Sequence, residues 1–265
     1  MNFLPKPVLT RIIQPYFYLR SVCKLWCTII DSRHRFHEED LAAICRGGSL
    51  RILDLYQRQF QIRYWEPCAE NACIGGRKDI LQYLGGKSVN NWNNLLKIAC
   101  FKGDVELAEI VVKNGGTFYG WGLISACKGG QMETALLMLK YGANDFDAGF
   151  CEACDYGHLE LARLMVDKGA ICWNMCVGSA CIRNDVSTLK FLVGCGATYW
   201  GKSVYRAAKR GCVDVIDYIL SINPNKDLLN QGLSGACKGD HKNLIPKFLK
   251  AGATECSNCK NDHNK

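Results

Sequence analysis

The sequence predicts an all-α protein, a solenoid of stacked helix–turn–helix repeats behind an apolar N-terminal segment. Three observations carry that prediction. Ala72, Ala99, Ala126, Ala153, Ala180 and Ala207 stand 27 residues apart five times running, with Ile44 28 residues before the set and Ala236 29 residues after it. An apolar stripe at helical spacing follows each of these anchors, as in Leu161, Ala162, Leu164 and Met165, or Val215, Ile216, Tyr218 and Ile219. Glycine closes most of the stripes, and an aromatic residue opens most copies. Self-similarity at a fixed short period is the mark of a repeat array.

Each part of the repeat has a physical role. Cysteine follows most anchors, at Cys45, Cys73, Cys100, Cys127, Cys154, Cys181 and Cys237, where a free thiol serves as a small buried hydrophobe. Four residues past the anchor comes Gly48, Gly76, Gly103, Gly130, Gly157 or Gly211, replaced in two copies by the turn formers Asn184 and Asp240. The second helix stops at Gly115, Gly142, Gly169, Gly196 or Gly252, where glycine enters the left-handed region without a Cβ penalty. Seven residues before the anchor stand Trp65, Trp92, Tyr119, Phe146, Trp173 and Trp200, placed to wedge between neighbouring repeats. Pro224 marks an irregular junction before the last repeat, and Pro246 suits the start of its second helix. The chain thus divides into an N-terminal segment over 1–30, about eight repeats over 31–254 and a polar tail over 255–265.

With 265 residues, 48% of them apolar, the chain can bury a sizeable core. No apolar run approaches the ~18 residues of a membrane span. Lys6, Pro7, Arg11 and Pro15 break up the N-terminal apolar stretch, unlike a signal peptide, so a soluble cytoplasmic protein with no membrane partner is expected. Seventeen cysteines would suit a disulfide scaffold, but the repeat period accounts for seven of them, and a reducing compartment is the expected setting. The net charge of +8 permits acidic partners without demanding nucleic acid, for which no stacking platform or base-reading module is recognisable.

One stretch imitates a nucleotide-binding motif. Residues 196 to 203, GATYWGKS, fit the pattern G-x-x-x-x-G-K-[ST]. A phosphate loop needs small residues between a strand and a helix, so that backbone N–H groups close around the phosphates. Here Gly196 is a helix stop, Trp200 is the aromatic of the next repeat, and Lys202 and Ser203 begin its first helix. The repeat explains every residue.

Residues 152 to 170, EACDYGHLELARLMVDKGA, resemble the helical part of an ankyrin repeat, as do residues 99 to 117, ACFKGDVELAEIVVKNGGT. The resemblance covers about residues 40 to 254. Ankyrin repeats are usually 33 residues long, and the shortfall here lies between the glycine stop and the next aromatic, where that family carries a β-hairpin finger. The T-P-L-H opening is replaced by Ala148, Gly149, Phe150 and Cys151. Stacked helix pairs with shortened turns are therefore expected, meeting a partner through their first helices. The family places the positions around the anchor on a concave face. Here they include Arg46, Lys102, Lys128, Arg183, Arg206, Lys209, Arg210 and Lys238, against Glu152 and Asp155. Such a basic face suits an acidic protein segment; an ordinary solvated helix surface is the alternative.

Residues 1 to 30 fall outside the period and resemble a shortened F-box. Leu4, Pro5, Val8, Leu9, Ile12, Ile13, Val22, Cys23, Lys24 and Trp26 match that family's pattern, with its two halves closer together than usual. The resemblance implies docking onto the Skp-type adaptor of a cullin-RING ubiquitin ligase, with the repeats holding a target. An apolar helical hairpin also suits a cap over the first repeat of a stack. The combination is similar to families of large DNA viruses of protists, which would place it in the host cytoplasm.

No enzymatic constellation is recognisable. H-E-x-x-H and G-x-S-x-G are absent, and His34, His37, His158 and His241 are scattered. His158 sits in a turn where ankyrin repeats use histidine for hydrogen bonding. Cys256, Cys259 and His263 offer three ligands where a closed zinc site wants four, so a polar tail is expected and no cofactor or metal is assigned. Cys172 and Cys176 lie at helical spacing without a sign of activation. A non-catalytic interaction protein is the reading, either a ligase adaptor or a plain scaffold that binds or blocks a partner.

Overall fold

Alternating first and second helices run through the whole of the computed structural model, which describes residues 38–254 apart from 60, 61, 63, 201 and 223. The F-box-like residues, His34, His37 and the tail ligands lie outside the described residues. The first helices are α1 (Glu38–Gly47), α3 (Glu66–Gly75), α5 (Trp92–Lys102), α7 (Tyr119–Gly129), α9 (Phe146–Tyr156), α11 (Trp173–Ile182), α13 (Ser203–Arg210) and α15 (Lys226–Lys238). The second helices are α2 (Leu50–Gln59), α4 (Lys78–Leu84), α6 (Val105–Lys113), α8 (Met132–Lys140), α10 (Leu159–Asp167), α12 (Val186–Gly194), α14 (Val213–Ser221) and α16 (Ile245–Lys250). No strand occurs among the described residues.

All eight anchors are buried, together with the cysteines that follow them, except Cys237, which is half-buried. None of these seven cysteines is joined in a disulfide. The described residues form two compact units, those up to 99 with 106–117, and 100–105 with those from 118 onward. In the first, α1 packs on α3, and Leu53, Tyr56, Ile80, Leu81 and Leu84 fill the interior. In the second, first helix packs on first helix in series, α7 on α9, α9 on α11, α11 on α13 and α13 on α15. Leu123, Met138, Phe150, Met165, Leu189, Ile216 and Phe248 form its core. Packing between sequence neighbours is the contact pattern of a helical repeat array.

Both kinds of helix end as the sequence predicts. At the turn inside most repeats the N–H five residues past the anchor donates to the anchor carbonyl: His158 to Ala153 at 2.8 Å, Asp185 to Ala180 at 3.0 Å, His241 to Ala236 at 2.9 Å. This six-to-one bond requires a left-handed residue just before it. Asn184 and Asp240 adopt it at φ 58° and 54° where other copies use glycine. The second helices close in the same way, Gly169 at φ 111° preceding the bond from Ala170 N to Met165 O at 2.9 Å. The last repeat keeps Pro246 in the first turn of α16.

Two expectations need amendment. Gly48 occupies its turn without a left-handed backbone. The repeated aromatics also pack within their own repeat: Trp65 meets the Tyr83 ring edge-on at 6.4 Å, and Tyr119 stacks on Tyr141 at 5.2 Å.

A side chain closes the loop where a finger would stand. The residue after the repeated aromatic accepts N–H bonds from the loop about one repeat later. Asn93 Oδ1 takes Thr117 N at 2.8 Å, Asp147 Oδ1 takes Ile171 N at 2.7 Å, and Asn174 Oδ1 takes Thr198 N at 2.9 Å. Asn230 Oδ1 takes Thr254 N at 2.9 Å.

Candidate partner-binding face

The first helices share a register, so equivalent positions adjoin where these helices pack. One face carries the positions five and one before the anchor and two and three after it. Its chemistry changes from repeat to repeat.

Arg46, on α1 in the first compact unit, and Lys102, at the end of α5, are exposed. In the second compact unit the predicted cations divide by use. Lys128 Nζ lies 3.8 Å from Glu152 and 5.1 Å above the Tyr156 ring. The Tyr156 hydroxyl first, and then Glu152, hold its ammonium above the usual lysine value. Arg183 is a structural tie, donating to the carbonyls of Cys154 at 3.1 Å and Asp155 at 2.9 Å while pairing with Asp185 at 3.1 Å. These two cations hold one repeat to the next.

Arg206, Lys209 and Arg210 differ. All three are exposed on α13, with exposed Lys202 one turn ahead of Arg206. The eight residues of α13, SVYRAAKR, bury Val204, Ala207 and Ala208 on the opposite face, so the cations occupy the solvent side. Lys238 is exposed at the end of α15, which packs extensively on α13. Gly235 permits this, because a Cβ there would lie 2.3 Å from the carbonyl oxygen of Tyr205. His158 Nε2 lies 3.2 Å from the Lys128 carbonyl, the turn hydrogen bonding expected of it, and His241 Nε2 lies 3.1 Å from the Lys209 carbonyl in the same way.

Little acid opposes this cluster on the first helices around it. α11 has none, and the acid of α15, Asp227, accepts from Gln231 at 2.8 Å. The nearby acids of the second helices are engaged, Asp214 with Asn184 at 2.7 Å and Asp217 with Lys247 at 2.8 Å. Lys190 and Arg163, on those second helices, sit over the rings of Tyr218 and Phe191 at 5.5 and 4.7 Å.

Motif reasoning missed exposed apolar residues in the second compact unit. Trp121 and Phe118 are half exposed and meet edge-on at 5.0 Å; Ile171, Met175 and Tyr199 are 69%, 76% and 70% exposed. Their signal was present in the sequence. Met175 holds the position that Lys202 holds in the next repeat, and Trp121 holds it two repeats before.

No protein-family model matches the chain, and a search of curated proteins finds no match. The face must be read from its own chemistry.

The nucleotide-like stretch begins where a helix ends. Gly196, at φ 99°, closes α12, and Ser203 opens α13, so the stretch follows a helix. Among the described residues no group of three or more His, Cys, Asp and Glu is arranged to hold a metal, and no helix is long and apolar enough to cross a membrane.

Proposed function

We propose that the chain is a non-catalytic interaction protein whose repeats engage an acidic segment of a target. The observation that carries this reading is the cationic side of α13, where Arg206, Lys209 and Arg210 stand exposed beside Lys238 on α15. A one-sided charge cluster with few acids beside it, exposed Asp240 past the end of α15 being one, steers and orients an oppositely charged partner. Lys128 and Arg183 support the array, and Trp121 and Met175, at the register position of Lys202, add exposed apolar area.

The N-terminal segment gives this binding an outcome. By its resemblance to an F-box, Leu4, Pro5, Val8, Leu9, Ile12, Ile13, Val22, Cys23 and Trp26 dock on a Skp-type adaptor, so that the chain recruits its target to a cullin-RING ubiquitin ligase in the cytoplasm. The test is a pull-down of the full chain with the Skp-type adaptor, comparing wild type with a Leu4→Ala, Pro5→Ala variant of unchanged helical circular dichroism. Binding lost in the variant supports the ligase adaptor. Failure of the wild type to bind leaves a scaffold, with the N-terminal segment serving as a cap.

A further inference from the structure

Three cysteines outside the repeated cysteine position converge on one seam of the second compact unit. Cys151 lies in α9, Cys172 stands at the entrance of α11 and Cys176 lies one turn further along α11. Cys151 Sγ is 3.4 Å from Cys172 Sγ and 3.6 Å from Cys176 Sγ. Cys151 and Cys172 are only half-buried. Cys45 and Cys68 also share a hydrogen bond, but both are fully buried.

The pair is already positioned. Asp147 Oδ1 accepts the backbone N–H groups of Ile171 at 2.7 Å and Cys172 at 3.2 Å, while the Cys172 thiol donates to the Asp147 carbonyl at 3.3 Å. A disulfide needs its sulfurs at about 2.05 Å. The remaining approach is small.

We propose that Cys151 and Cys172 form a reversible disulfide in response to peroxide, stapling α9 to the entrance of α11. The thiolate of one cysteine attacks a peroxide oxygen, the O–O bond breaks, and a sulfenic acid forms as the leaving oxygen departs as water. The sulfur of the other cysteine then attacks the sulfenic sulfur, forming the S–S bond and releasing a second water. The two thiols together lose two electrons and two protons, and hydrogen peroxide becomes two waters. Two equivalents of a glutathione-type thiol reverse the step by exchange. Cys176 adds a second thiol within reach of Cys151, through which the disulfide can migrate.

The setting also fixes the kind of response. Hydrogen bonding to Cys176, with burial, pushes the Cys151 thiol up, and burial pushes Cys172 up, so the pair reacts slowly and answers sustained oxidant. The staple adds a covalent tie to the loop that carries Ile171 and to the start of α11, whose Met175 is, like Ile171, highly exposed. Oxidation thereby stiffens the apolar part of the first-helix face.

The test treats the reduced full chain with hydrogen peroxide, blocks the remaining thiols, and maps tryptic peptides by mass spectrometry. The expected product joins residues 141–163 to residues 169–183, with fragmentation placing the link at Cys151 and Cys172. It forms before any link to Cys45 or Cys68, glutathione reverses it, and Cys151→Ser lacks it. Cys172→Ala moves the link to Cys176. In thermal unfolding the oxidised wild type melts above its reduced form, a difference that Cys151→Ser lacks. If the reduced Cys151→Ser chain loses helical circular dichroism, the Cys172→Ala shift decides alone. Other cysteine pairs linking first, or the same peptide pair persisting in folded Cys151→Ser, would overturn the proposal.

Discussion

Asn174 Oδ1 accepts two backbone N–H groups, from Thr198 at 2.9 Å and Tyr199 at 3.0 Å, and so joins the first turn of α11 to the loop that leaves α12. One side-chain oxygen thereby ties down a loop that six further residues form into a β-hairpin in a 33-residue repeat. Asn93, Asp147 and Asn230 make the same bond in their own repeats. Asn174→Ala is expected to lower stability by about 1 kcal/mol, the usual net worth of such bonds. Asn174→Asp, which keeps the acceptor, stays close to wild type. Urea unfolding followed by circular dichroism measures both, and an unchanged midpoint in Asn174→Ala would make the contact incidental.

The repeat was legible because every copy buries the same positions, so that the anchor, the thiol and both turn residues recur in sequence as they do in space. The loop clamp was equally periodic, in Trp92–Asn93, Phe146–Asp147 and Trp173–Asn174, but a polar residue beside an aromatic carries no signal until its acceptor atom is placed. The charged face was legible only as a set of candidates. Arg183 and Arg206 look alike in sequence, yet Arg183 reaches the carbonyls of Cys154 and Asp155 from the repeat before it, while Arg206 stands in solvent. That difference depends on contacts about one repeat away, which no local pattern records.

The buried thiols make the fold sensitive to alkali. Burial pushes both Cys127 and Cys181 up to about 12, with Glu152 adding to the first and Cys212 to the second. An unfolded thiol titrates near 8.5. Between these values the folded chain holds protons that the unfolded chain has released, so stability falls as pH rises, by about 1.4 kcal/mol per pH unit for each such thiol. The contribution is fully present below pH ~8.5 and lost progressively up to pH ~12. Urea midpoints from pH 7 to 11 should drop steeply above about 9, and a flat profile would show that these thiols titrate normally.

Asn184 combines a left-handed backbone, φ 58°, with a side chain that accepts from Val215 N at 3.0 Å and donates to Asp214 at 2.7 Å. Asn184→Gly removes the side-chain bonds but relieves the backbone. Asn184→Ala removes the bonds and keeps a Cβ in a region that costs roughly 1 kcal/mol. Alanine should therefore be the more destabilising of the two by about that amount. Equal unfolding midpoints for the two variants would show that the turn adjusts its backbone.

The cationic side of α13 can be separated from its structural role, because α13 turns Val204, Ala207 and Ala208 inward and Arg206, Lys209 and Arg210 outward. Charge reversal at the three exposed positions should alter stability by no more than about 0.5 kcal/mol each, as exposed substitutions usually do. The same triple variant should abolish retention of the full chain on immobilised poly-glutamate. Wild-type retention should weaken steeply between low and physiological salt, since charges at an exposed face are screened over a Debye length of about 8–10 Å. Arg183→Glu gives the contrasting case: it loses the bonds to Cys154 and Asp155 and places an acid beside Asp185, so it should lower the unfolding midpoint. Equal retention of the wild type and the α13 variant would remove that helix from the binding face and leave the exposed Trp121 and Met175 as its remaining candidates.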